Sequence, residues 1–195
     1  MPYGFQQPVE DMDEWYEVSL GNKPGYIYSR TTNPTVEAFE EKVCILESAE
    51  AAVSFTCGMA AISSTLYTFL RPGDRVVSQN DTYGGANKMF TEFLPKMGIT
   101  ATLCETGNHE QIEAEIDKGC RLLYLESPTN PTIKITDIKR LAEYAKQRGV
   151  LVAIDNTFAT PINQNPLELG VDLVIHSATK FMGGHADALG GVVCG

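Results

Sequence analysis

Lys180 follows Ser177 and Thr179 at the end of the apolar run "DLVIHS" (172–177), and the chain behind it, "FMGGHADALGG", has almost no bulk. A solvated surface lysine needs neither the hydroxyls nor the glycines. A lysine amine withdrawn from water, by contrast, is a nucleophile toward carbonyl groups. Further residues stand at comparable places. Asp155 ends "LVAID", where a carboxylate leaving a buried strand has to be paired or hydrogen-bonded. Tyr83 in "DTYGG" is followed by two glycines, which clear room for a flat group against its ring. Gly58 in "FTCGMAA" marks a strand-to-helix turn, where free backbone N–H groups and the helix dipole favour an anion. Each has a plainer reading: a solvated lysine, a capping carboxylate, a packed tyrosine, a tight turn. Together, an anion cradle, an aromatic platform, a strand-end carboxylate and a strand-end lysine are the parts of a pyridoxal phosphate (PLP) site. In such a site the lysine forms the Schiff base, and the carboxylate keeps the pyridine nitrogen protonated so that the ring accepts electrons.

Positioning these residues falls to an alternation of short β-branched runs and longer helical patterns. "AAVSFT" (51–56), "RVVSQ" (75–79), "ITATLCE" (99–105), "RLLYLE" (121–126), "LVAIDN" (151–156), "DLVIHS" (172–177) and "LGGVVC" (189–194) read as strands. Several are apolar throughout, as expected where both faces of a sheet are covered. Between them, "NPTVEAFEEKVCILES" opens with Asn33 as an N-cap and Pro34 at the first helical position. Its Val36, Phe39, Val43 and Leu46 fall on one stripe. "GMAAISSTLYTFL", "GGANKMFTEFLPKM", "HEQIEAEIDKG" and "TDIKRLAEYAKQRG" supply the other helices, the last capped by Gly149. The pattern predicts a three-layer α/β sandwich on a mostly parallel sheet of about seven strands. The last strand follows a glycine-rich loop without a crossover helix, so it is expected to run antiparallel. Ligands of open α/β sheets gather at the carboxyl ends of the strands, which is where the four residues lie.

Bulk composition excludes other classes. A net charge of −10 argues against a nucleic-acid partner and against an anionic membrane surface. The 195 residues contain no G-x-G-x-x-G and no G-x-x-x-x-G-K-[ST], so dinucleotide and nucleoside-triphosphate binding lack support. The five cysteines form no C-x-x-C and lie in apolar stretches such as "KVCIL". They read as buried free thiols of a reducing compartment, and with no signal-peptide pattern the expected location is cytoplasmic. His176 and His185 are read as packing and loop histidines, with no metal site expected.

The motifs "GYIYSRTTNPT" (25–35), "CGMAA" (57–61), "DTYGG" (81–85), "ESPTNP" (126–131), "DNTFATP" (155–161) and "HSATKFMGGH" (176–185) make the sequence recognisable. It resembles the Cys/Met-metabolism family of PLP enzymes, which includes cystathionine γ-synthase, cystathionine γ-lyase, methionine γ-lyase and O-acetylhomoserine sulfhydrylase. The resemblance implies the large domain of the fold type I, aminotransferase-like architecture, over 35–195. Residues 1–34 would be an arm reaching a neighbouring subunit, and the smaller C-terminal domain would lie outside this chain. By position, Lys180 resembles the Schiff-base lysine, Asp155 the partner of the pyridine nitrogen and Tyr83 the residue stacked on the ring. Asn130 matches the asparagine near the phenolic oxygen. Gly58 and Met59 would offer backbone N–H groups to the phosphate, with hydroxyls from Ser177 and Thr179. Tyr28 and Arg30 resemble the pair that crosses to a neighbour's phosphate, which implies a homo-oligomer, a dimer of dimers. Cys57 stands where serine is usual, and "YGGAN" lacks the cysteine typical of methionine γ-lyases.

The activity implied is γ-elimination or γ-replacement on sulfur-containing or O-acylated homoserine-type amino acids, with Lys180, Asp155 and Tyr83 catalytic. Family members run to about twice this length. The arginine that holds the substrate carboxylate would lie in the other half. The rival reading is therefore a half-enzyme that binds PLP and needs a second polypeptide for turnover. A binding module for another phosphorylated ligand leaves the tyrosine, aspartate and lysine unexplained.

Overall fold

A computed structural model describes residues 11–195 and contains a single seven-stranded sheet among them. Its strands are β1 (Ala52–Phe55), β2 (Arg75–Gln79), β3 (Thr100–Cys104), β4 (Leu122–Glu126), β5 (Leu151–Asp155), β6 (Leu173–His176) and β7 (Gly191–Cys194). They lie in the order β1-β7-β6-β5-β4-β2-β3, each inside one of the apolar runs of the sequence. The five from β2 to β6 pair in parallel. β7 runs antiparallel to both neighbours, with Val193 opposite Val53 on one side and Ile175 on the other. The glycine-rich loop after β6 thus turns the chain back to lie beside β6 in the sheet, as its lack of a crossover helix suggested.

Alternation along the strands sorts the core into two layers. Leu123, Leu125, Val152, Ile154, Val174 and Val192 face one side, with Ile112, Ile116, Leu141 and Ala145 from the helices. Leu122, Tyr124, Ala153 and Ile175 face the other, with Ala61, Ile62, Leu66, Phe90 and Leu94. Both faces being covered, the central runs Leu122–Leu125, Leu151–Ile154 and Leu173–Ile175 are apolar throughout, with no polar-out alternation.

The helices are α1 (Met12–Ser19), α2 (Pro34–Glu47), α3 (Gly58–Phe69), α4 (Gly84–Lys88), α5 (Leu94–Lys96), α6 (His109–Asp117), α7 (Ile138–Lys146) and α8 (Thr160–Asn163). Asn33 caps α2 as expected, its Oδ1 accepting from Thr35 and Val36 N–H at 2.9 and 3.3 Å. Gly149 adopts φ 68° just past α7, and its N–H bonds the Lys146 carbonyl. Two expectations change. The segment read as one helix from Gly84 is broken by a π turn, Met89–Phe93, just before Pro95. Proline donates no hydrogen bond and its ring crowds the preceding turn, so the ladder widens there. On the α2 stripe Val43 is buried, while Val36 and Leu46 are exposed, because α2 lies over the β1–β7 end of the sheet. Sequence periodicity did not signal α1, which buries none of its residues; Asp11 caps it by accepting from Glu14 N–H at 2.7 Å. No helix among the described residues is long and apolar enough to cross a membrane.

Candidate active site

The carboxyl ends of the strands enclose a cleft of about 260 Å³. Gly58, Met59, Tyr83, Asn130, Asp155, Ser177, Thr179 and Lys180 all line it. Tyr28 and Arg30 do not; Arg30 lies over the Tyr28 ring, 5.1 Å from its centroid, on the segment before α2.

Each wall has a local cause. Cys57 stands extended before α3 and offers no side-chain cap, so the first N–H groups of that helix open toward the cleft. The lysine loop packs hard against them. A Cβ on Gly58 would lie 2.5 Å from Ser177 Cβ, so only glycine admits the contact. A Cβ on Gly191 would come within 2.2 Å of the Cys57 carbonyl, which seats β7 beneath the same turn. Thr179 Oγ1 accepts from Gly190 N–H at 3.1 Å and donates to its carbonyl at 3.2 Å, closing the loop that carries Lys180. That hydroxyl is therefore engaged within the loop. Ser177 N–H donates to Thr157 Oγ1 at 2.8 Å, tying the ends of β6 and β5.

The floor is acidic. Glu126 and Asp155 end neighbouring parallel strands in register, so both carboxyls face the cleft. Burial raises Asp155 above the usual carboxylate range, opposed by hydrogen bonds from Thr157 and by positive charge on His176. Glu126 is pushed up to about 8, first by burial and then by the charge of Asp155. Sequence reasoning quoted Glu126 inside "ESPTNP" without singling it out. Its two oxygens accept from Tyr83 N–H at 2.7 Å and Asn130 N–H at 2.6 Å, so one carboxyl holds two walls. The signal was available, since a glutamate closing "RLLYL" is as costly to bury as the aspartate closing "LVAI". Thr157 and Phe158 also line the cleft and were likewise not singled out.

Two carboxyls that resist ionising together make a floor complementary to a cation. An uncapped helix start suits a phosphate, and a lysine stands on the loop between them. PLP presents a phosphate, an aldehyde and a basic ring nitrogen, so this donor set fits it. The histidines lie elsewhere. His176 is buried against Glu47, and exposed His185 places Nδ1 2.9 Å from the Gly183 carbonyl. Among the described residues no cluster of three or more His, Cys, Asp or Glu could hold a metal ion.

Comparison with known proteins agrees with this geometry. The chain is 45% identical over 186 residues to cystathionine γ-lyase of Bacillus subtilis, covering 95% of this chain and 49% of that protein. It is 42% identical to the cystathionine β-lyase MetC of the same organism, covering 95% of this chain and 47% of that one. Its fold superposes with a TM-score of 0.85 on crystalline cystathionine γ-lyase from Lactobacillus plantarum complexed with L-serine. That pair is 38% identical, with 100% of this chain and 48% of the other covered. The chain therefore spans about half the length of the relatives it matches. The profile of the Cys/Met metabolism PLP-dependent enzymes matches residues 4–195, and with the sequence identity this settles that the chain belongs to that family.

Proposed function

We propose that this chain carries the PLP site of an enzyme that eliminates or replaces the γ-substituent of sulfur-containing or O-acylated homoserine-type amino acids. The observation that carries the reading is the pair of buried carboxyls, Glu126 and Asp155, lining one cleft with Lys180 and the open start of α3. Bound PLP supplies an electron-accepting ring conjugated to the substrate amine.

The chain's own groups do the rest. The N–H groups of Gly58 and Met59, with the α3 dipole, bind the phosphate, and Ser177 adds its hydroxyl from the facing loop. Asp155, disfavoured as a lone buried carboxylate, is stabilised once it holds a proton at the ring nitrogen. The Tyr83 ring, 43% exposed, offers a face for stacking and a hydroxyl for proton transfer. Asn130, on the wall held by Glu126, would serve the cofactor's phenolic oxygen. Lys180 Nζ would hold the cofactor's aldehyde and, as a free amine, would move the proton from the substrate Cα. Tyr28 and Arg30 do not line their own chain's cleft, which is compatible with their serving the phosphate of a second copy in a homo-oligomer.

A second reading is favoured by one observation, the coverage of 49% and 47% of two curated relatives. On that reading the chain binds PLP but lacks the part that holds the substrate carboxylate, and a second polypeptide completes it. Borohydride reduction of the PLP-loaded chain followed by peptide mapping tests the cofactor site. A label on Lys180 is expected, and its absence would sink the assignment. Assay with cystathionine, methionine and O-acetylhomoserine then separates the readings. Label without turnover, with activity on adding the remaining half of a relative, selects the half-enzyme. Cleavage on the β side of cystathionine's sulfur would replace the γ assignment with the β-lyase reaction.

A further inference from the structure

Beneath the cleft, on the other face of the sheet, lies a buried polar cluster that the proposed reaction does not use. Glu47 ends α2 and His176 ends β6; they are 0% and 1% exposed, and Glu47 Oε1 is 2.5 Å from His176 Nε2. Asn156 Nδ2 donates to the same Glu47 oxygen at 3.1 Å and to the Gln164 carbonyl at 3.0 Å. Gln164 Nε2 donates to Asn156 Oδ1 at 2.7 Å and to the Ser127 carbonyl at 2.9 Å. Glu47 Oε2 and His176 Nδ1 have no hydrogen-bond partner among the described residues.

Strand alternation puts this cluster directly behind the site. His176 pairs with Val192 and shares its side of the sheet, whereas Asp155 pairs with Ile175 and shares the other. Each anchored residue adjoins a cleft residue in the chain: Ser127 follows Glu126, Asn156 follows Asp155, and His176 precedes Ser177. The cluster thus grips the three strand ends that carry the floor and the lysine loop, and moors them to α2. The core on this face of the sheet, which includes Val43, Ile154, Val174 and Val192, is largely aliphatic. A well-packed apolar group of the same volume would fill this space without the desolvation cost and the unpaired atoms. A hydrogen-bonded network instead fixes orientation, which aliphatic contacts do not.

We propose that Glu47, His176 and Asn156 are positioning residues that hold Asp155 and the Lys180 loop in register for the cofactor. This rests on the reading of the cleft as a PLP site. Positive charge on His176 also favours the ionised form of Asp155, against burial. The other titratable groups around that carboxyl are Glu126 and Tyr124 on β4, Lys180 and Tyr83 in the cleft, and Glu47 behind it.

The test uses the full chain loaded with PLP. The double variant Glu47→Leu/His176→Leu replaces the pair by an apolar one, so that no single charge is left unpaired. Gln164→Leu, half-buried, cuts the link to Ser127 and Asn156 and leaves the pair intact. Glu47→Gln keeps the oxygen that both neighbours use. The PLP dissociation constant is expected to rise about tenfold, equivalent to about 1.4 kcal/mol, in the double variant and in Gln164→Leu. The pH midpoint of the cofactor's visible band is expected to move by about half a unit in the double variant. Glu47→Gln should restore most of the affinity, and urea midpoints identify which variants fold. Folded variants with parental affinity and band would overturn the proposal, as would loss of the fold in all of them, Glu47→Gln included, which would make the cluster purely structural. Absence of a borohydride-stable label on Lys180 of the unsubstituted chain is a separate result, which overturns the cofactor reading and this one with it.

Discussion

Glu126 shows how one side chain can set both shape and charge. Its carboxyl accepts from the backbone of Tyr83 and Asn130, while burial and then Asp155 raise it from 4.5 to about 8. Between those two values the folded chain keeps a proton that the unfolded chain releases. Stability is therefore fully present below pH 4.5 and declines as pH rises toward 8. One group contributes at most about 1.4 kcal/mol per pH unit. Asp155, also raised, acts in the same sense. Urea midpoints of the cofactor-free chain across this range should fall with pH, and Glu126→Gln should flatten the slope. An amide also presents N–H to one of the two backbone donors, so this variant starts lower by about 1–3 kcal/mol. An unchanged slope would remove Glu126 from the titration.

At the scale of elements, the site depends on how closely α3, β7 and the lysine loop approach. Gly191→Ala places a Cβ 2.2 Å from the Cys57 carbonyl, and backbone cannot swing aside as a side-chain tip can. Such overpacking costs about 1–3 kcal/mol. The variant is expected to unfold at lower urea and to bind PLP more weakly, since the displaced residue precedes the helix proposed to bind the phosphate; unchanged affinity would argue against the α3 cradle. Much of this layer was legible in the sequence. Strand runs with both faces apolar, the Asn33–Pro34 helix start and the helix-free return to β7 are local signals, and they gave the sheet and its antiparallel strand. The four cleft features were legible because strand ends converge in an open α/β sheet. What escaped needs contacts between distant residues. The Glu126 clamp spans 43 positions and the Glu47–His176 pair 129, and no local spacing announces either. The π turn has a local cause instead: Pro95 donates no hydrogen bond and crowds the turn before it, an effect that apolar periodicity does not register.

Across the whole molecule, the chain carries a net charge of −10, and its matched relatives are about twice as long. The order of the sheet has a temporal meaning as well. β1 finds its strand partner in β7, so residues 52–55 wait for 191–194, while β2 through β6 pair among themselves. Pairings this far apart in sequence form late, because loop closure must precede any reward. Pulse-labelled hydrogen exchange during refolding should find β4 and β5 amides protected before those of β1 and β7. Simultaneous protection would contradict this order. The start of α3, proposed as the phosphate cradle, hangs directly from β1, and the lysine loop leads directly into β7. With the cofactor site proposed above, a growing polypeptide cannot hold PLP before β7 has been made, and uptake of PLP becomes a signal that synthesis has passed that strand.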